Sequence, residues 1–251
     1  MFDLADLTNR IARLDREPGN PTSDIAHFVS VISRFAGPGT PGRPDRTVVS
    51  PSDADALAAE SALLRRIERV TPDIVAGPLS AAAQSWISTG KPSHRPPGER
   101  EPSERHFIPA FGADLPPSAK PFDVGMFTST GVPSMWRVYL DLHGDSALYP
   151  RPWWTWSVTA PPDVDVYEID GAARWVDLVT CHPVRHDGLL YPDWAAIARR
   201  FDAVHITMRA IAAAQGMFFS APDGPVVAPF WDVESTFWLR WRFTATELVQ
   251  R

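Results

Sequence analysis

Apolar positions recur every three to four residues through the first third of the chain, then mostly every second residue. Leu4, Leu7, Ile11 and Leu14 predict an amphipathic helix ending before Pro18-Gly19. Ile25, Phe28, Val29, Ile32 and Phe35 share one face of a second helix, which opens at Ser23 or Asp24 and stops at Gly37-Pro38-Gly39. PGTPGRPDR reads as a linker or exposed loop. SPSDADALAAESALLRRIERV starts on Ser or Asp capping and carries Leu57, Leu63, Leu64, Ile67 and Val70 as a third helix. A short helix around Leu79 to Ile87 is expected next. KPSHRPPGEREPSER, Lys91 to Arg105, is too polar and proline-rich to pack.

Beyond that stretch the period changes. VGMFTST, RVYLDL, WWTWSVT, DVDVYEID, WVDLVT, AVHIT and the closing FWDVESTFWLRWRF all read as strands by alternation or by β-branched and aromatic enrichment. One helix, PDWAAIARRF, interrupts them, with Pro192 near its first turn and Trp194, Ile197, Ala198 and Phe201 on one face. The expected fold class is α+β: a mostly antiparallel, aromatic-rich β core with a helical N-terminal region. The expected organisation is a helical region over residues 1–90, a proline-rich linker or loop over 91–104, and an α+β core over 105–251.

Composition narrows the function classes. The 251 residues are 44% hydrophobic and 22% charged, ordinary for a globular protein. A net charge of −6 gives no general attraction to nucleic acid or to an anionic membrane. The single cysteine, Cys181, excludes an intrachain disulfide and a cysteine-rich zinc site. No apolar run approaches the ~20 residues of a membrane span. The first residues, acidic and amphipathic, lack the apolar core of a signal peptide. The expectation is a soluble bacterial protein of the cytoplasm, or one exported without a cleavable signal.

Taken as a strand, the closing stretch puts Trp231, Val233, Ser235, Phe237, Leu239, Trp241 and Phe243 on a core face. Asp232, Glu234, Thr236, Trp238, Arg240 and Arg242 fall on the other. That second face is either a solvated face laced with cross-strand ion pairs or the wall of a ligand cleft. In FDVGMFTSTG, alternation aligns Gly125, Phe127, Ser129 and Gly131, and glycines beside an aromatic and a hydroxyl let a ligand approach the backbone. The bland reading there is an edge strand running into a turn at Gly131-Val132-Pro133. His182 and His186, beside Cys181 and Asp187, have a spacing that binds metal on a helix, but Pro183 and Gly188 argue against one, and no metal site is assigned. His205 alternates onto the face opposite Val204 and Ile206, either lining the same cleft or satisfied within the core. No nucleophile elbow, phosphate loop or GxGxxG is present.

Gly125-Met126-Phe127-Thr128-Ser129-Thr130, followed about a hundred residues later by Asp232-Val233-Glu234, resembles the mono-ADP-ribosyltransferases of the Arg–Ser-Thr-Ser–Glu class, bacterial toxin-type members included. The resemblance spans roughly residues 105–245. It implies an ADP-ribosyltransferase-like core, NAD⁺ as substrate, and either transfer to an acceptor or hydrolysis. It implies Glu234 as the anion that stabilises the oxocarbenium-like state and binds the ribose hydroxyl, with Ser129 orienting it. Gly125, Thr128 and Thr130 would line the dinucleotide, and Phe127 or Trp238 would stack on nicotinamide. Asp232 stands where members carry Glu or Gln to influence the acceptor; it is shorter, and the acceptor stays open among protein, nucleic acid, small molecule and water. The arginine or histidine that grips the dinucleotide would be Arg105, His106 or Arg137. Two alternatives stand beside this: a non-catalytic binding or immunity-type protein on an aromatic β scaffold, and a hydrolase using His182, His186 or Asp187.

Overall fold

The structure, a computed structural model, describes residues 4–15, 18–35, 48–90, 101–122, 124–131, 133–146 and 149–250. The loop expected at 38–46 and residues 91–100 of the loop expected over 91–104 lie outside them. Nine helices occur among the described residues: α1 (Leu4–Leu14), α2 (Pro21–Ile32), α3 (Pro51–Ala59), α4 (Ala62–Glu68), α5 (Pro72–Val75), α6 (Met135–His143), α7 (Ala172–Cys181), α8 (Trp194–Arg200) and α9 (Met208–Ala214). The strands are β1 (Val48–Val49), β2 (Gln84–Ser88), β3 (Met126–Thr130), β4 (Trp154–Thr159), β5 (Val166–Ile169), β6 (Pro183–His186), β7 (Leu189–Pro192), β8 (Ala203–Ile206), β9 (Phe218–Phe219), β10 (Ser235–Trp238) and β11 (Ala245–Gln250).

Seven strands form one sheet in the order β11-β4-β2-β3-β10-β8-β5. Every neighbouring pair is antiparallel except β5 with β8. The fold is therefore mixed α+β around a mostly antiparallel sheet, in line with the α+β expectation. One face packs on the helices through a cluster that includes Val204, Ile206 and Phe237 from the sheet and Leu7, Phe28, Trp175, Trp194 and Ile211 from the helical layer. The other face carries Met126, Trp156, Val158, Ala203 and Trp238, with Leu79, Phe107, Trp241 and Phe243 packed on them.

Three segments differ from the pattern reading. RVYLDL lies in α6, where the Ser134 hydroxyl caps the Arg137 N–H and Gly144, at φ +71°, ends the helix. WVDLVT lies in α7, whose buried Ala172, Trp175, Leu178 and Val179 keep helical spacing. The stretch expected as a short helix at Leu79–Ile87 instead delivers β2, buried between β3 and β4 in the middle of the sheet. That strand precedes residue 90, and α1 to α4 share a core cluster with α7 to α9, so packing runs across the expected boundary. SPSDADALAAESALLRRIERV is two helices, not one, because Ser61 caps α4 through the Leu64 N–H.

Helix ends are tied to other elements. Asp55 of α3 accepts from the Ala172 and Ala173 N–H groups at 2.5 and 3.0 Å, holding the start of α7. Arg10, fully buried in α1, donates to the carbonyls of Ala212 and Gln215 at the end of α9.

Candidate functional site

Strand register assembles the polar side chains. Glu168 of β5, His205 of β8, Thr236 of β10 and Thr128 of β3 stand side by side across four adjacent strands. Glu234 lies one residue before β10 and reaches the end of β3. Its Oε1 accepts from the Thr130 hydroxyl at 2.8 Å and stands 3.0 Å from His205 Nε2. Its Oε2 lies 3.1 Å from the Ser129 hydroxyl, which also meets the Glu234 carbonyl, and the Thr130 N–H points at both oxygens at 3.2 and 3.1 Å. Ser129 and Glu234 thus meet across adjacent strands.

The network continues in both directions. His205 Nδ1 lies 2.6 Å from Glu168 Oε2, and the Leu79 N–H donates to Glu168 Oε1 at 2.8 Å. On the other side Trp238 Nε1 donates to the Thr128 hydroxyl at 2.8 Å, which donates to Gln84 Oε1 at 2.6 Å. Gln84 Nε2 in turn donates to the Thr130 hydroxyl at 3.0 Å and to the Ser80 carbonyl at 3.1 Å. Each group polarises the next, which strengthens such chains in a low dielectric. Burial alone would lower the His205 pKa, but the hydrogen bonds and charges of Glu168 and Glu234 outweigh it and push it up to about 9. His205 is therefore an imidazolium at neutral pH, donating to a carboxylate on each side.

This geometry overturns the solvated-face reading of the closing stretch. Glu234 is 0% exposed and every residue of β10 is buried, because Phe237 faces the helical layer while Trp238 faces the opposite cluster. Of the side chains that form the network, Glu168, at 29% exposure, is the one that borders water. The regular alternation expected from Trp231 onward also fails, since Asp232 has φ +65° and strand pairing starts only at Ser235.

Asp232 turns away to a second cluster. Gln215 Nε2 donates to its Oδ1 at 3.2 Å, and Lys120 Nζ lies 3.7 Å from its Oδ2. Burial raises the Asp232 pKa above the usual carboxylate value, with Lys120 opposing. Burial likewise lowers the Lys120 pKa, with Asp232 opposing. Phe127 and Trp136 flank the Lys120 ammonium, and Trp136 stacks on Tyr139 with ring centroids 4.9 Å apart.

The other sequence-derived candidates fall in several places. Thr128, Thr130 and Ser129 belong to the network already described. Trp238 is fully buried and hydrogen-bonded to Thr128, so no face of its ring is free to stack on a ligand in this arrangement. Phe127 is half-buried and stacks on Phe237 at 4.5 Å. Gly125, at φ +64°, admits the protein's own Phe237 ring and Trp238 carbonyl rather than a ligand; a Cβ there would lie 2.3 Å from that ring. Arg105 and His106 are exposed in a 3₁₀ turn, and Arg137 pairs with Asp141 and lies over Trp153. The strand beside β3 on the side away from Glu234 is β2, which contributes Gln84 to the network.

His182 caps the C-terminus of α7 and His186 ends β6, with His186 and Asp187 forming an exposed pair at 3.4 Å. Among the described residues no group of three His, Cys, Asp or Glu side chains is placed to hold a metal ion. Glu168, Gln84 and Lys120 were not singled out from the sequence. Glu168 hid in an alternating acidic run, and Lys120 carries only the weak signal of being, with Lys91, one of the chain's only lysines.

No protein family, curated protein or solved structure was found to match the chain. No helix among the described residues is long and apolar enough to cross a membrane.

Proposed function

We propose that the protein cleaves the nicotinamide–ribose bond of NAD⁺, as a mono-ADP-ribosyltransferase or an NAD glycohydrolase on an ADP-ribosyltransferase-like core. One observation carries the reading: the Ser129 hydroxyl stands 3.1 Å from Glu234 Oε2 across β3 and β10. In that reaction the C1′–N bond breaks and its electron pair leaves with nicotinamide. An acceptor or water then bonds C1′ and gives up a proton. Glu234 would stabilise the positive charge on the ribose, and a buried anion fixed by several donors needs no reorganisation to do so. Ser129, Thr130 and His205 would hold the carboxylate in place. Glu234 itself is closed off, so substrate would reach it only once the cover over that face of the sheet opens. Incubation with NAD⁺ labelled in the adenylate and in the nicotinamide tests this. Nicotinamide release with label transfer indicates a transferase, release alone a glycohydrolase, and no release refutes the reading.

A second reading, a non-catalytic binding protein on an aromatic scaffold, is favoured by the complete internal satisfaction of Glu234. On that reading NAD⁺ produces neither nicotinamide nor a shift in melting temperature.

A further inference from the structure

Lys120 Nζ lies 5.3 Å from the ring centroid of Phe127 and 5.6 Å from that of Trp136. Its oxygen neighbours are the Trp231 carbonyl at 3.4 Å and Asp232 Oδ2 at 3.7 Å. An ammonium between aromatic rings, with a carboxylate beside it, has the composition of an organic-cation site. The geometry points to a seat for an organic cation, pyridinium or quaternary ammonium, built from Phe127, Trp136 and Asp232 and filled here by the chain's own Lys120.

The seat is rigid and its occupant is held loosely. Phe127 is stacked on Phe237, and Trp136 on Tyr139. Gln215 fixes Asp232 by donating to it, while its Oε1 accepts from the Trp231 N–H at 3.1 Å. This hold keeps Asp232 at φ +65°, a left-handed conformation uncommon for a non-glycine residue. Lys120, by contrast, makes only long oxygen contacts, against the ~2.8 Å of a strong charge-assisted bond. It hangs on a flexible four-carbon stem from a stretch that has no helix or strand among its described residues, and whose Ser118 and Ala119 carbonyls accept from the Trp194 and Trp231 indoles. Its side chain is 12% exposed and that of Asp232 18%, so the seat borders water. A cation with a larger apolar body gains more from the two rings than an ammonium does. When it enters, Asp232 exchanges one counter-charge for another and Lys120 swings out to be hydrated. The oxidised nicotinamide ring of NAD⁺ is such a cation, and only this choice of natural ligand rests on the function proposed above. Lys120 then acts as a built-in competitor for the substrate's charged ring.

The wild-type protein supplies the first test. Saturating 1-methylnicotinamide, a pyridinium, should raise the rate at which an amine reagent modifies Lys120 several-fold, scored by mass spectrometry against Lys91. Neutral nicotinamide should leave it unchanged. Unchanged or slower labelling with the cation overturns the proposal. In a second test K120M, with K120Q as its alternate, should bind 1-methylnicotinamide and tetramethylammonium at least tenfold tighter than wild type by tryptophan fluorescence. W136L in the same background should abolish the gain. Equal affinity in a folded K120M or K120Q protein, or a gain that survives W136L, contradicts the seat. Cation binding without NAD⁺ turnover leaves the seat standing and removes the proposed reaction.

Discussion

His205 makes stability depend on pH in a way that can be worked out beforehand. Its pKa rises from 6.5 to about 9 in the folded protein, because Glu168 and Glu234 outweigh the effect of burial. A base whose folded pKa is raised contributes its full stabilisation below the unfolded value and loses it as pH climbs through the folded value. The window is therefore pH 6.5 to 9, and stability should fall across it. At about 1.4 kcal/mol per unit the total is on the order of 3 kcal/mol, half of it lost near the middle of the window. The assay is urea unfolding at half-unit steps from pH 6 to 9.5, short of the range where Tyr139 and Tyr167, both raised to about 12, separate from unfolded tyrosine. H205N supplies the reference. It should be less stable below about pH 9, where two carboxylates lose their cation, with the gap narrowing across the window, and it should lack the wild-type slope. Parallel pH profiles for wild type and a folded H205N would refute the imidazolium bridge.

Two further substitutions test the frame that carries the site. Gly125→Ala should cost about 2–4 kcal/mol, combining a positive φ with a Cβ driven into the Phe237 ring and the Trp238 carbonyl, read as a shift in urea midpoint. Asp55→Ala should cost about 1–2 kcal/mol by freeing the first N–H groups of α7, and should speed amide exchange at Ala172 and Ala173.

Much of the N-terminal half was legible because its helices carry apolar periodicity and stop signals in the sequence, but two of their starts were not. Asn20 and Pro21 open α2 ahead of the expected Ser23 or Asp24, and Ser61 opens α4 inside the run that reads as one helix. The strand assignments failed where short apolar runs fit two periods at once. In Met135–His143 the decisive signals were Ser134 and Gly144 at the ends and the Trp136, Tyr139, His143 spacing, whose rings are neighbours along the helix. In Ala172–Cys181 it was the spacing of Trp175, Leu178 and Val179. β2 was missed because an alanine-rich run before Gln84 raised helix propensity, while pairing on both sides determined the outcome. At the site, the meeting of Ser129 with Glu234 was foreseeable from the paired motifs. The burial of Glu234 was not. Which face of β10 meets water depends on Leu79, Phe107, Trp241 and Phe243, and local alternation carries no information about a cover assembled from distant segments.

The role of Glu234 is tested most directly by nicotinamide release from NAD⁺ by wild type and Glu234→Gln, each assayed below its own melting temperature. The isosteric amide removes the charge and keeps the shape. The account predicts measurable release by wild type and a loss of at least about a hundredfold in the variant, in keeping with removal of a key electrostatic stabiliser. Undiminished release by a folded Glu234→Gln protein, or none from wild type, would contradict it.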